Sequence, residues 1–249
     1  MLRRLRLLTS ICLLAVAPLC AKNSPSRIEL YHGIAEGNYL IGDLKGAAKG
    51  VDQMLRMDPD YLPALTLQAR VKIDQGDAAA ALVAAEHAIH SAPEELQHQL
   101  LKALVLGNLN RHEEAIALIE QVIAQADAGS DDARAAQQLL GLLRMAEGDW
   151  DAAAKAFNQV YLAAPESAAS SRQLATEAYL EQARRARSNG TLADAVSALS
   201  EALAMYEGES GQESLRARST LRMLRARALT QLGQLSAAIE DLQVITGQQ

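Results

Sequence analysis

The chain has 249 residues, with 24 Lys and Arg against 30 Asp and Glu and a formal charge of −6. That acidic balance argues against a general binder of nucleic acid or anionic membrane, because neutralising phosphate needs a surplus of basic side chains. Apolar residues are 49% of the chain and aromatics 3%, the composition of a soluble, mostly helical, aromatic-poor protein.

Residues 1–21 read Met-Leu-Arg-Arg-Leu-Arg, an apolar run from Leu7 to Leu19, and Cys20-Ala21. A basic start, a short apolar stretch and small residues afterwards form the layout of a secretory signal peptide. The run is shorter than the ~20 apolar residues that span a bilayer. Pro18 would follow a cut after Ala15-Val16-Ala17, so cleavage after Ala21 is favoured. The alternative leaves Cys20 as a lipidated N-terminus, as in bacterial lipoproteins, although Ala17-Pro18-Leu19 lacks the small residue expected directly before the cysteine. Both routes predict an exported, periplasmic protein; lipidation at Cys20 would add an outer-membrane tether, and membrane contact is expected only through it. Cys12 and Cys20 are the only cysteines, so a zinc ribbon, a disulfide scaffold and a C-x-x-C redox site are excluded. Without the signal the chain from Lys22 holds 21 basic and 30 acidic residues, a charge of −9.

After a short linker at 22–27, one pattern recurs to the end of the chain. "GDLKGAAKGVDQMLRMDP" (Gly42–Pro59) aligns with "GDAAAALVAAEHAIHSAP" (Gly76–Pro93) at a period of 34, and "NRHEEAIALIEQVIAQAD" (Asn110–Asp127) follows at the same period. Segments beginning at Gly148, Gly190 and Gly233 complete six copies, expected near 28–61, 62–95, 96–129, 134–167, 176–209 and 219–249. A small residue recurs in the leading helix (Ala35, Ala69, Ala103, Gly141, Ala183, Ala226). A turn residue follows (Gly42, Gly76, Asn110, Gly148, Gly190, Gly233), then a second small residue (Ala47, Ala81, Ala115, Ala153, Ala195, Ala238). Glycine or asparagine at the turn enters the left-handed region without a Cβ clash. Small residues on both sides let two antiparallel helices approach closely. Pro59, Pro93 and Pro165 stop the second helix.

This pattern resembles the tetratricopeptide repeat (TPR) family, with the fourth copy carrying Gly141, Gly148, Ala153, Phe157 and Pro165 in the family positions. The resemblance implies an all-α fold, a right-handed α-solenoid of about six helical hairpins whose leading helices line a concave groove. It also implies a partner, a protein or peptide segment held in that groove. The Lys/Asn carboxylate clamp of chaperone-binding members is not reproduced. Read by resemblance, the groove takes His32, Glu36, Tyr39, Thr66, Arg70 and Ile73 from copies one and two. Leu100, Leu104, Gln138, Leu142 and Met145 come from copies three and four, and Leu180, Arg184, Arg187, Met223, Arg227 and Thr230 from copies five and six. The candidate binding residues are Leu100, Leu104, Leu142 and Met145 as an apolar middle, with Arg184, Arg187 and Arg227 as a basic end. The signal followed by six repeats also resembles pilotin lipoproteins that assist type IV pilus secretin assembly, and more loosely the TPR lipoprotein of outer-membrane β-barrel assembly.

The last three junctions carry 4, 8 and 9 extra residues. AGSDDA (Ala128–Ala133) is expected as a polar loop, ESAASS (Glu166–Ser171) as an extension of the fifth leading helix, and EGESGQ (Glu207–Gln212) as a flexible joint where hinge motion concentrates. Ile239, Leu242 and Ile245 belong to a face that a following unit would cover, so fraying or self-association is expected there. No catalytic residue, metal site or cofactor is assigned. His87, His90, His98 and His112 read as outward polar side chains, and no nucleophile elbow, phosphate loop or dinucleotide turn occurs. A small-ligand binder or enzyme using the groove is the weaker alternative to a scaffold.

Overall fold

A computed structural model describes residues 26–165 and 169–247. The signal segment and Cys20 lie outside the described residues. Among the described residues there are twelve helices and no strand. Leading helices are α1 (Arg27–Leu40), α3 (Leu62–Asp74), α5 (Leu96–Asn108), α7 (Asp131–Glu147), α9 (Ala169–Ser188) and α11 (Gln212–Gln231). Second helices are α2 (Leu44–Met57), α4 (Ala78–Ser91), α6 (His112–Gln125), α8 (Trp150–Ala163), α10 (Leu192–Ala204) and α12 (Leu235–Thr246). The fold is therefore the all-helical hairpin series that the repeats imply.

All six turn residues have positive φ, from 77 to 83° at the glycines and 58° at Asn110. Each turn closes on a backbone bond between residues five apart, such as Asp43 N–H to Asn38 O at 2.9 Å and Asp149 N–H to Arg144 O at 2.9 Å. This is the Schellman arrangement, which satisfies carbonyls that the helix end would leave orphaned. In three hairpins the next residue is aspartate, and it caps the second helix. Asp43, Asp77 and Asp149 accept from the amides of Gly46, Ala80 and Ala152 at 2.9, 3.1 and 3.2 Å. One Gly-Asp pair thus ends one helix and starts the next.

Every alanine of the two small columns is at most 7% exposed. At α1 and α2 the approach is close enough that a Cβ on Gly50 would lie 2.6 Å from Ala35 Cβ. A Cβ on Gly141 would meet the fully buried Phe157 ring at 2.7 Å.

The chain divides into two compact units, residues 1–136 and 137–249, with the boundary inside α7. In the first, Val51 and Met54 of α2 pack with Ala64, Leu67 and Val71 of α3, and Ala81, Ala84 and Ala85 of α4 with Leu101 and Val105 of α5. In the second, Phe157, Tyr179, Leu199, Tyr206 and Leu221 join α8 to α11 in one core.

Of the inserted residues, Asp131–Ala133, Ala169–Ser171 and Gln212 fall within leading helices, while 166–168 of the expected extension lie outside the described residues. The leading helices α7, α9 and α11 have 17, 20 and 20 residues against 13 or 14 in the earlier copies. Asp131–Ala133 are helical, so the expected polar loop shrinks to the residues before them, with Ser130 Oγ accepting from Ala133 N–H at 3.1 Å. The expected flexible joint is corrected more thoroughly. Glu209 pairs with Arg172 of α9, its carboxylate accepts from Ser214 Oγ at 2.5 Å, and its carbonyl accepts from Arg218 Nη2 at 2.8 Å. Arg172 also lies over the Tyr161 and Tyr206 rings at 5.6 and 4.9 Å. The segment is tied at both ends by charge-assisted bonds that a hinge would have to break.

Two outcomes test this packing. Gly50→Ala should lower stability by about 1–3 kcal/mol despite the gain in helix propensity, because Ala35 cannot retreat. Gly33→Ala, where an added Cβ meets nothing within 4 Å, should raise it by about 0.5–1 kcal/mol. Denaturant titrations of both variants check the signs. Glu209→Ala should accelerate amide exchange across residues 205–211 with the flanking helices unchanged; wild-type protection there would contradict the tie.

Candidate partner-binding surface

A leading helix shares its sides between the second helices it packs on and the solvent, so the candidate residues divide by exposure. In the first unit Leu100 of α5 is only 8% exposed and Leu104, one turn later, is half-buried. Arg70 of α3 lies 4.8 Å over the Tyr39 ring of α1, and His32 meets Tyr61 edge-on at 6.4 Å between centroids. Burial raises the Tyr39 phenol pKa, with the Asp74 carboxylate adding to the shift. Glu36, Thr66 and Ile73 are half-buried beside these contacts.

In the second unit Leu142 and Met145 of α7 and Leu180 of α9 are half-buried and lean on the core around Phe157 and Tyr179. Burial pushes the Tyr179 phenol up to about 12, and Glu201 and Asp151 add to it, so this ring is a neutral core element. Arg184 and Arg187 stand on the exposed side of α9, and Arg184 pairs with Glu181 one turn back. Arg227 stands on the exposed side of α11, one turn from Met223, which is 59% exposed. Arg216 and Thr220 continue that stripe, and Thr230 ends it by returning its hydroxyl to the Ala226 carbonyl at 2.8 Å. Neither Arg187 nor Arg227 has an acidic partner among the described residues. The two leading helices of this unit therefore offer open guanidinium groups with an exposed thioether between positions 216 and 230 of α11.

Three other arginines of the unit are committed to structure, and the sequence reading did not single them out. Arg185 lies 5.4 Å over the Trp150 ring and donates to the Gly148 carbonyl at 3.0 Å. They border a polar notch of about 370 Å³ that also takes in Gln182 and Asp194; Gln182 Nε2 donates to Asp151 Oδ1 at 3.2 Å. Arg172 is the joint residue above. Arg225 forms a two-pronged bond to Asp241 of α12 at 2.8 and 2.6 Å and reaches Ser200 of α10 at 3.0 Å. The carboxylate of Asp241, 4% exposed, holds the Arg225 pKa above its ordinary value. The signal for these pairs is the arginine count of α9 and α11, but not which carboxylate or ring each one finds.

Among the described residues no group of three or more His, Cys, Asp or Glu converges to hold a metal ion. His87 contacts Asp60 at 3.0 Å on the surface and His90 is exposed. His98 corrects the reading of the histidines as outward: it is 8% exposed in α5, at the place where α3 has Ala64. No described helix is long and apolar enough to cross a membrane.

The hairpin geometry agrees with comparison to known proteins. A tetratricopeptide repeat model matches residues 66–133 and 180–248, together more than half of the chain. The chain belongs to the tetratricopeptide repeat family. Among solved structures, this TPR chain is similar to PilW, described as a widely conserved type IV pilus biogenesis factor, at 18% identity and a TM-score of 0.55, covering 89% of this chain and 94% of PilW. It is similar to pilF of Pseudomonas aeruginosa at 17% identity and a TM-score of 0.54, covering 89% and 97%. MamA matches at 19% identity and a TM-score of 0.52, covering 72% and 92%. At these identities the likeness is one of fold. No curated protein is a significant match by sequence.

The Arg225 pair is a structural contact between α11 and α12. Asp241→Ala leaves the guanidinium beside a buried, unpartnered place and should cost about 3 kcal/mol. An unchanged denaturation midpoint would show that the pair does not hold α11 to α12.

Proposed function

We propose that this TPR protein is a non-catalytic scaffold of the bacterial envelope that grips a segment of another protein on the exposed sides of its leading helices. The carrying observation is two open guanidinium groups on an otherwise acidic chain, Arg187 of α9 and Arg227 of α11, the latter one turn from the exposed Met223. TPR proteins in general bind protein partners. Planar guanidinium donors suit a carboxylate, and a mobile thioether suits an apolar side chain without demanding one shape. The occupant is accordingly a segment with an apolar anchor followed by acidic residues or a C-terminal carboxylate. Leu104 in the first unit, and Leu142 and Met145 in the second, each keep part of their apolar surface open, and Arg184 shares its charge with Glu181.

The envelope location rests on residues 1–21, whose basic start and Leu7–Leu19 run form an export signal, with Cys20 as the alternative lipid attachment. A second reading, a pilotin-like or outer-membrane-assembly lipoprotein, draws on the near full-length likeness to PilW, itself described as a pilus biogenesis factor.

Arg187→Glu combined with Arg227→Glu tests the basic strip. Cross-linking in intact cells, followed by recovery of the tagged protein, should yield a near-stoichiometric protein partner for the wild type. The double variant should lose it about tenfold, the equivalent of ~1.4 kcal/mol, with helicity unchanged. Equal recovery would remove the strip from the binding surface, and a tightly held small molecule in place of a protein would favour the ligand-binding alternative.

A further inference from the structure

Within each unit, a junction between hairpins lays a leading helix over the second helix before it, and the same positions make the contact. Val51 of α2 is buried against α3, and the residues at its place in the next four second helices, Ala85, Ile119, Phe157 and Leu199, are all buried. In α12 that place belongs to Leu242, which is 46% exposed, and Leu235 and Ile239 beside it are more exposed still. The other half of the junction is open on α1. Where α3 places Ala64 and Val71, and α5 places His98 and Val105, all buried, α1 has Leu30 and Gly37. Leu30 is 52% exposed, and Ile34 and Ile41 extend the stripe at 60 and 80%. An added Cβ on Gly33 or Gly37 would meet nothing within 4 Å, so the ground around the stripe is open.

Among the described residues, then, the molecule shows both halves of one junction uncovered. The α1 face matches those on which α3 and α5 receive a second helix, and the α12 face matches those on which α2, α4, α8 and α10 receive a leading helix. We propose that a second copy of this chain fills each of them, with α12 of one molecule seated on α1 of the next. Pairing two α12 faces or two α1 faces would set like against like, whereas the junctions within each unit join a second helix to a leading one. Burying these stripes removes several aliphatic side chains from water on both partners, the non-directional term that drives association. The register that the chain already uses supplies the direction. Such a contact is heterologous: it leaves one open face at each end of a dimer and so continues into longer chains.

Light scattering of the purified protein over a concentration series tests this contact. The mean mass should rise past that of a dimer. Ile34→Glu and Leu242→Glu place a charge on the α1 and α12 faces respectively, and each alone should be monomeric with wild-type helicity. Mixed in equal amounts they should form a 1:1 dimer and nothing larger, because the first keeps its α12 face and the second its α1 face. A wild type that stays monomeric to its solubility limit overturns the proposal, as does a folded single variant that still dimerises, or a mixture of folded variants that stays monomeric. Should either glutamate reduce helicity, Ile41→Lys and Ile239→Lys make the same pair of tests at more exposed positions.

Discussion

A reversal of direction in two residues of backbone is the constraint from which the rest of this structure follows. A left-handed residue ends one helix, and the next residue is already the cap of its partner. So short a connection leaves no slack to adjust the distance between the two helices. The side chains facing each other across it must be small, and alanine or glycine stands there in all six copies. Asn110 occupies the turn with φ at 58° where the other copies have glycine. Asparagine tolerates that region better than other residues with a Cβ, through local hydrogen bonds of its short amide. The turn sets the pairing, the pairing sets which sides of each helix are buried, and the sides left over are what a partner can touch.

The hairpins were legible because each turn depends on neighbours within a few positions of it. Glycine, small residues and proline act locally, and local requirements leave a period in the sequence. Elements that depend on distant partners were not legible. Glu207–Gln212 has two glycines and reads as a joint, but Glu209 meets Arg172 from the preceding leading helix and Ser214 and Arg218 from the following one. His98 reads as a surface side chain because histidine is polar. It stands at a junction place that is buried in every copy with a preceding hairpin in its own unit, and position overrides polarity. Leu100 shows the same ambiguity from the other side. Groove and junction positions are adjacent on one helix, so an apolar residue at their border fits either, and only the packing separates them.

Alanine columns solve the geometry of close approach but bury little apolar area per side chain, and aliphatic burial scales with area. The two units supplement the columns differently. The first does so with Val51, Met54, Leu67 and Val71, aliphatic side chains in continuous contact. The second, with its longer leading helices, also uses arginine. Arg172 lies between two tyrosine rings and a glutamate, Arg185 over a tryptophan and against a backbone carbonyl, and Arg225 on a buried aspartate. Each of these guanidinium groups is held by a ring, a carboxylate or a backbone carbonyl of its own unit. That division is what gives Arg187 and Arg227 their meaning: on the same two helices, with the same chemistry, they stand where no ring or carboxylate of the unit reaches them. An arginine-rich helix in a repeat protein is therefore not a binding surface as a whole. In the proposed function the surface is the remainder after the fold has taken the arginines it needs, and the open arginines left over are Arg187 of α9 and Arg227 of α11.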